Sequence, residues 1–358
     1  MGGSTDYATS GSVERRLRRA TIYPGWIALS GTTLLFALGA SIPLRYQFLP
    51  LAASVLLFGL PHGALDHLTL TRARGRQATV RSLAAIGGLY ALVGGLYAIG
   101  WFFAPVAAFA GFILLTWLHW GQGELHALLA IAGVEHLETA RQRVSTALAR
   151  GSLPMLVPLV AFPDQYRLIA TTLVGLFGAG DLGRLAVAFT PRGRVVVAAA
   201  VIALVAGTLA VGYLRADGRS GWAFDAGETA LLIVFFATVP PILAVGLYFT
   251  LWHSLRHIGR LLALDPTART ALGGGGYGRA FGRFARDAAP LTAAAILMLG
   301  GLYALVPSTP AETVDLVGLY LVFIAVLTLP HVAVVFWLDR EQGVWTALTP
   351  RLLERSRS

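Results

Sequence analysis

Residues 315–337 read DLVGLYLVFIAVLTLPHVAVVFW, an unbroken apolar run with one carboxylate at its entrance and one histidine, His331, in its interior. At 1.5 Å per residue a helix of this length covers roughly 34 Å, the thickness of a bilayer's hydrocarbon core. Water has nothing to solvate along it, so its surroundings are lipid or other helices. Similar runs, bounded by Arg, Pro or Gly, occur at 25–43, 47–66, 82–103, 106–130, 143–162, 166–180, 195–214, 228–252 and 289–306. The sequence therefore predicts an all-α, polytopic transmembrane bundle of about ten spans. The count falls towards eight if the fifth and sixth runs, interrupted by Pro154, Pro158 and Pro163, form a re-entrant or broken element.

Composition agrees, with 56% hydrophobic and 13% charged residues and a mean hydropathy of +0.68. All 28 basic residues are arginine, and they give a net charge of +10. They fall between apolar runs and form no basic domain, which argues against nucleic acid as a partner. Arginines cluster at Arg15–Arg19, 72–81, 141–143, 184–194, 260–286 and 340–357, whereas the alternate loops hold only Arg45, Arg167, Arg215 and Arg219. By the positive-inside rule this alternation predicts cytoplasmic termini in an inner cell membrane protein. The expected organisation is a flexible N-terminus (1–24), one membrane domain (25–338) and a cytoplasmic tail (339–358). The chain has no cysteine, which excludes disulfides and thiolate sites. The glycine-rich stretch 273–278 lacks the preceding strand and following Lys-Ser/Thr of a phosphate loop and reads as a surface connector.

Eight histidines occur, and seven lie within or at the end of an apolar run. An ionisable group at bilayer depth is costly and by default marks a functional site facing the bundle interior. Trp252-His253-Ser254-Leu255-Arg256-His257 stacks two imidazoles at i, i+4, a spacing that suits a shared metal ion or, more plainly, two interfacial histidines bonded to headgroups. Gly59-Leu60-Pro61-His62-Gly63-Ala64-Leu65-Asp66-His67 is irregular where lipid would not tolerate it, with Asp66 one turn on as a candidate acceptor of the second ring proton of His62, or it is a proline-kinked helix end with a solvated Asp and His. Trp117-Leu118-His119-Trp120-Gly121-Gln122-Gly123-Glu124-Leu125-His126 suggests a helix loosened around a polar cavity, or simple interhelical hydrogen bonding by Gln122 and Glu124. His331 follows Pro330, as His62 follows Pro61, and suits a structural role as well as a ligand's. The alternating topology brings the runs carrying His62, His119, His253 with His257, and His331 to one membrane face. Neutral imidazoles without thiolates suit iron, copper or zinc better than calcium or magnesium. An apolar bundle rich in Trp and Phe further points to a lipophilic substrate, for which iron and oxygen are the natural chemistry.

The strings PHGALD at 61–66, HWG at 119–121, WHSLRH at 252–257 and PH at 330–331 resemble, in order and over about residues 50–337, the Brp/Blh family. These are the bacteriorhodopsin-related membrane β-carotene 15,15′-dioxygenases. The resemblance implies a non-haem Fe(II) held by His62, His119, His253 and His257. It also implies β-carotene and O2 as substrates, two molecules of all-trans-retinal as product, and a rhodopsin as a candidate recipient. His331 matches a further family position and joins Asp66 and Glu124 as a candidate group behind the ligands. A tunnel open to lipid is expected, with Trp117, Trp120, Tyr248, Phe249, Trp252 and Phe336 as candidate walls. Each of these aromatics also suits ordinary packing or an interfacial belt. Two rivals stand beside this reading. A di-iron desaturase or hydroxylase would carry more histidines, in adjacent pairs that are absent here. A histidine-rich transporter or haem-binding protein would use the same residues without catalysis.

Overall fold

The computed structural model describes residues 3–346, which form helices joined by turns and short connectors, with no strand among them. In chain order, α1 is Gly3–Thr21, α2 Tyr23–Ala37, α3 the segmented Leu44–Ala73, α4 Val80–Phe103, α5 Pro105–His126 and α6 Ala140–Ala161. There follow α7 Pro163–Gly175, α8 Pro191–Arg215, α9 Arg219–Thr238, α10 at 241–264, α11 Pro266–Gly273, α12 Tyr277–Leu305 and α13 Thr313–Glu341. Seven helices, α3, α4, α6, α8, α9, α12 and α13, are long and apolar enough to cross a membrane. The first, fourth and sixth apolar runs of the sequence, which become α2, α5 and α7, are not among them: α2 and α7 have only 15 and 13 residues, and the end of α5 is polar.

The proline-rich fifth run is one helix, α6, which continues through Pro154 and Pro158. The eighth run behaves differently. It stops at Thr238, Val239 is extended (φ −97°, ψ 132°) ahead of Pro240, and Pro241 opens α10. A residue before proline is pushed out of the helical region, so the pair of prolines cuts this run in two. The N-terminal segment carries a helix of its own. Gly3–Thr21 are helical, and Val13 and Leu17, one turn apart, are buried. Arg16 of this helix donates to the carbonyls of Leu272 (2.5 Å) and Gly273 (2.8 Å) at the C-terminus of α11. With Gly275 at φ +82°, the glycine-rich stretch is thus a capped helix end and a connector. Of the expected C-terminal tail (339–358), residues 339–341 continue α13 with Asp339 buried, and those beyond 346 lie outside the described residues.

Two local features position the site. At the crossing of α5 and α6, a Cβ on Gly121 would lie 2.1 Å from the Ala147 carbonyl oxygen, and one on Gly151 2.1 Å from that of Trp117. Only glycine permits this backbone-to-backbone approach, which fixes the level of His119. Tyr90–Gly94 in α4 and Tyr248–Ser254 in α10 are π-helical turns. Such turns are rare and concentrate at functional sites, and here they carry Tyr90 and His253.

Candidate metal centre

Five buried histidines meet in the bundle interior: His62 of α3, His119 of α5, His253 and His257 of α10, and His331 of α13. Their ring centroids stand 4.8 Å apart for His119–His253 and His119–His331, 5.1 Å for His62–His331, 5.3 Å for His257–His331 and 5.4 Å for His62–His257. His253 Nε2 lies 3.1 Å from His119 Nε2. One ring nitrogen each from His62, His119 and His331 lie within 4.8 Å of one another.

The hydrogen bonds fix two tautomers. His62 Nδ1 donates to the Gly59 carbonyl, with Ser254 Oγ 3.2 Å away, and His331 Nδ1 donates to Asp66 Oδ2 at 2.8 Å. Each ring therefore keeps a lone pair on Nε2. Asp66 also accepts from the Tyr90 hydroxyl at 2.5 Å. A carboxylate behind a histidine in this way is the outer arrangement typical of metal-ligating imidazoles. The carboxylate expected to serve His62 thus serves His331 instead. The proline-disrupted α3 turns the Nδ1 of His62 to its own backbone, three residues back.

The donor set fits a metal ion. His257 Nε2 and His331 Nε2 are buried without a hydrogen-bond partner, and burying such atoms unpaired costs about 1–3 kcal/mol each. Metal–nitrogen bonds of about 2.1 Å put adjacent ligands roughly 3.0–3.4 Å apart and opposite ones about 4.2 Å apart. The His119–His253 separation matches an edge of such a polyhedron, and the wider trio needs to close by about half an ångström.

Glu124 touches none of these rings. It accepts from Trp252 Nε1 (2.7 Å) and Arg150 (2.5 Å). Arg150 also contacts Glu228 (2.6 Å) and Asp225 (3.1 Å), and Arg256 contacts Glu228 (2.5 Å), all of these side chains being buried. His136 completes the group at 3.3 Å from Asp225. The network grips α10 at Trp252 and Arg256, the neighbours of His253 and His257, and Arg256 stacks 3.8 Å over the Trp252 ring. Glu124 thus acts on the histidines through the helix that carries them. Sequence reasoning missed Arg150, Asp225 and Glu228; Arg150, a charge inside the fifth apolar run, was the signal that could have found the network, whereas Asp225 and Glu228 stand at the edge of the eighth. Neither Gly-Gln-Gly glycine loosens α5: Gly121 serves the α6 crossing, and at Gly123 a Cβ would crowd the His253 ring at 3.0 Å. His67 donates to the Ala64 carbonyl (2.9 Å) and His126 is buried on α5; neither enters the cluster.

The cluster opens on an apolar cavity of about 820 Å³, at the large end of the roughly 300–1,000 Å³ usual for small-molecule sites. On α4 its wall runs from Leu83 to Ala98, roughly 22 Å of helix, with Tyr90, the partner of Asp66, near the middle. Gly87 and Ala91 of α4 and Leu291, Ala294 and Met298 of α12 line the cavity and are also exposed on the bundle's outer face. The cavity thus has a side opening between α4 and α12. Of the aromatics expected as walls, Trp120 and Phe249 line it. Tyr248 and Trp252 are buried behind the wall, Trp117 turns to the Leu148 carbonyl (2.7 Å), and Phe336 is 45% exposed. Helical spacing on α10 separates Phe249 from Tyr248 and Trp252 by face, which proximity in sequence could not reveal.

Fold and site define a helical protein with seven helices fit to cross a membrane and a buried polyhistidine centre facing an apolar cavity. A family model for beta-carotene 15,15′-dioxygenase matches residues 53–339. A Halobacterium salinarum protein named probable beta-carotene 15,15′-dioxygenase Blh is 47% identical over 330 residues, covering 92% of this chain and 95% of that one. A second protein of the same organism, probable beta-carotene 15,15′-dioxygenase Brp, is 32% identical over 329 residues, 87% of this chain and 88% of its own. No solved structure matches the chain. The chain belongs to the beta-carotene 15,15′-dioxygenase family.

Proposed function

We propose that this protein splits the central 15,15′ double bond of β-carotene with O2, giving two molecules of retinal, at a non-haem iron(II) held among the clustered histidines. The observation that carries the reading is five converging imidazoles beside a long apolar cavity in a chain of this family. His62, His119, His253 and His257 are the proposed ligands. His331, held by Asp66 with its Nε2 free, is a fifth nitrogen within reach. Iron(II) supplies the one-electron chemistry by which dioxygen reacts with a hydrocarbon.

The protein's own residues have a limited task. One C=C bond breaks and two C=O bonds form, both atoms of O2 enter the products, and no proton is gained or lost. No general acid or base is needed, which agrees with Asp66 and Glu124 being tied to partners. Positioning is the main requirement. The cavity wall extends along α4 to either side of Tyr90, so a polyene threaded along it places its middle by the histidines. The opening between α4 and α12 gives such a molecule a path from the lipid of the inner cell membrane without crossing water.

Expression in β-carotene-producing cells tests the reading. The cells should bleach and accumulate retinal, the purified protein should hold one iron per chain, and His62→Ala or His257→Ala should abolish both with the protein still folded. Normal turnover by both variants would refute the ligand assignment. Unbleached cells with the wild-type protein present would refute the reaction.

A further inference from the structure

Thr116 lies one helical turn before His119 on α5 and, like it, lines the cavity. Positions three apart share a helix face, so its side chain belongs to the part of the cavity beside the histidines. The residue is 4% exposed and its hydroxyl has no hydrogen-bond partner. Two other buried threonines, Thr146 and Thr292, also lack a partner, but neither lines the cavity. Thr33, Thr69, Thr250 and Thr328 all donate to the carbonyl four residues back, at 2.7–3.0 Å. Thr116 has the same recourse, in the Phe112 carbonyl, and does not take it. Of the other hydroxyls that line the cavity, Tyr90 is committed to Asp66 and Thr328 to Ile324. Tyr166 also lines the cavity, but on α7, which brings no histidine to the site.

An unpaired buried donor is costly unless a partner arrives. On the functional reading above, on which this inference rests, the organic substrate is a hydrocarbon and can accept nothing. The only acceptors that enter are the two atoms of dioxygen, which leave as aldehyde oxygens. We propose that the Thr116 hydroxyl donates a hydrogen bond to an oxygen atom as it is delivered to the breaking double bond. It is then a catalytic residue of the reaction, acting by hydrogen bonding alone: no proton leaves it and no bond to it forms.

The test compares wild type, Thr116→Val and Thr116→Ser as full-length proteins in lipid vesicles with β-carotene. Thr116→Val keeps the shape and removes the donor. Its turnover number should fall by about tenfold or more, with KM for β-carotene within about twofold, because the hydrocarbon accepts no hydrogen bond from the hydroxyl and valine keeps its shape. Iron content should be unchanged, and the thermal midpoint equal to or above that of wild type, since an unpaired hydroxyl contributes no stability. Thr116→Ser should recover most of the lost turnover. Turnover of Thr116→Val within about twofold of wild type would overturn the proposal. So would a serine variant as slow as the valine one, which would assign the effect to packing. Failure of the wild-type protein itself to cleave β-carotene is a separate outcome, and would overturn the dioxygenase reading along with this inference.

Discussion

Replacing Asp66 probes the link between the hydrogen-bond geometry and the metal. Its Oδ2 accepts from Tyr90 at 2.5 Å and from His331 Nδ1 at 2.8 Å. Asp66→Ala leaves both donors buried and unpaired, at about 1–3 kcal/mol each, so about 2–6 kcal/mol in all. Part is recovered because a carboxylate with an unpartnered Oδ1 no longer has to be buried. The His331 ring also loses the contact that fixes its tautomer, and loss of such an outer partner typically costs about 10–100-fold in metal affinity or activity. Asp66→Asn can keep both contacts through its amide oxygen but without charge, and neutral bonds are roughly half as strong. Its effect should fall between alanine and wild type. Tyr90→Phe removes one donor and leaves His331 paired, so it should cost only about 1 kcal/mol of stability and little iron. Iron retained after dialysis against graded chelator, and retinal formed per minute, give the ranking wild type, Tyr90→Phe, Asp66→Asn, Asp66→Ala. An alanine variant that holds iron and cleaves β-carotene like wild type would refute the role given to the Asp66–His331 pair.

A Cβ on Gly95 meets no heavy atom within 4 Å and points to no packed neighbour, yet the residue lines the cavity. Gly95→Phe should cut β-carotene turnover by about tenfold or more while leaving the thermal midpoint in place. Gly121→Ala meets a backbone oxygen that cannot swing aside, so it should destabilise by about 3 kcal/mol, read as a lowered midpoint for loss of helicity. Asp265, between α10 and α11, has a carboxyl that burial pushes up. The Arg283 hydrogen bond (2.8 Å), the Ala268 N–H and the Arg72 charge outweigh this and hold it below its ordinary 3.8. Because the folded value is the lower one, its contribution is full above pH 3.8 and fades as pH falls through the folded value. Asp265→Asn should therefore lower the midpoint at neutral pH by about 1 kcal/mol equivalent, the partners being part-exposed, and the gap to wild type should close in acid.

The apolar runs were legible because lipid demands uninterrupted length, and the histidine motifs because imidazole at bilayer depth needs a reason. What sequence spacing could not supply was partnership across the bundle. Asp66 lies four residues from His62 but is paired with His331, 265 positions away. Arg143 and Arg260, counted as loop charges in the topology, are buried instead, Arg143 on backbone carbonyls and Arg260 on Asp339. A positive charge beside an apolar run signals either the cytoplasmic face or an internal anchor, and only the packing separates them. The same holds for the double proline at 240–241, which a hydropathy window averages away.

If the proposed substrate enters between α4 and α12, that route sets which concentration the protein senses. A guest that enters sideways from the acyl phase is sampled by its mole fraction among lipids, not by its molarity in the tube. Adding empty lipid at constant total carotenoid should therefore slow the reaction as if substrate had been withdrawn, and aldehyde released by the same door would begin its life already dissolved in the bilayer.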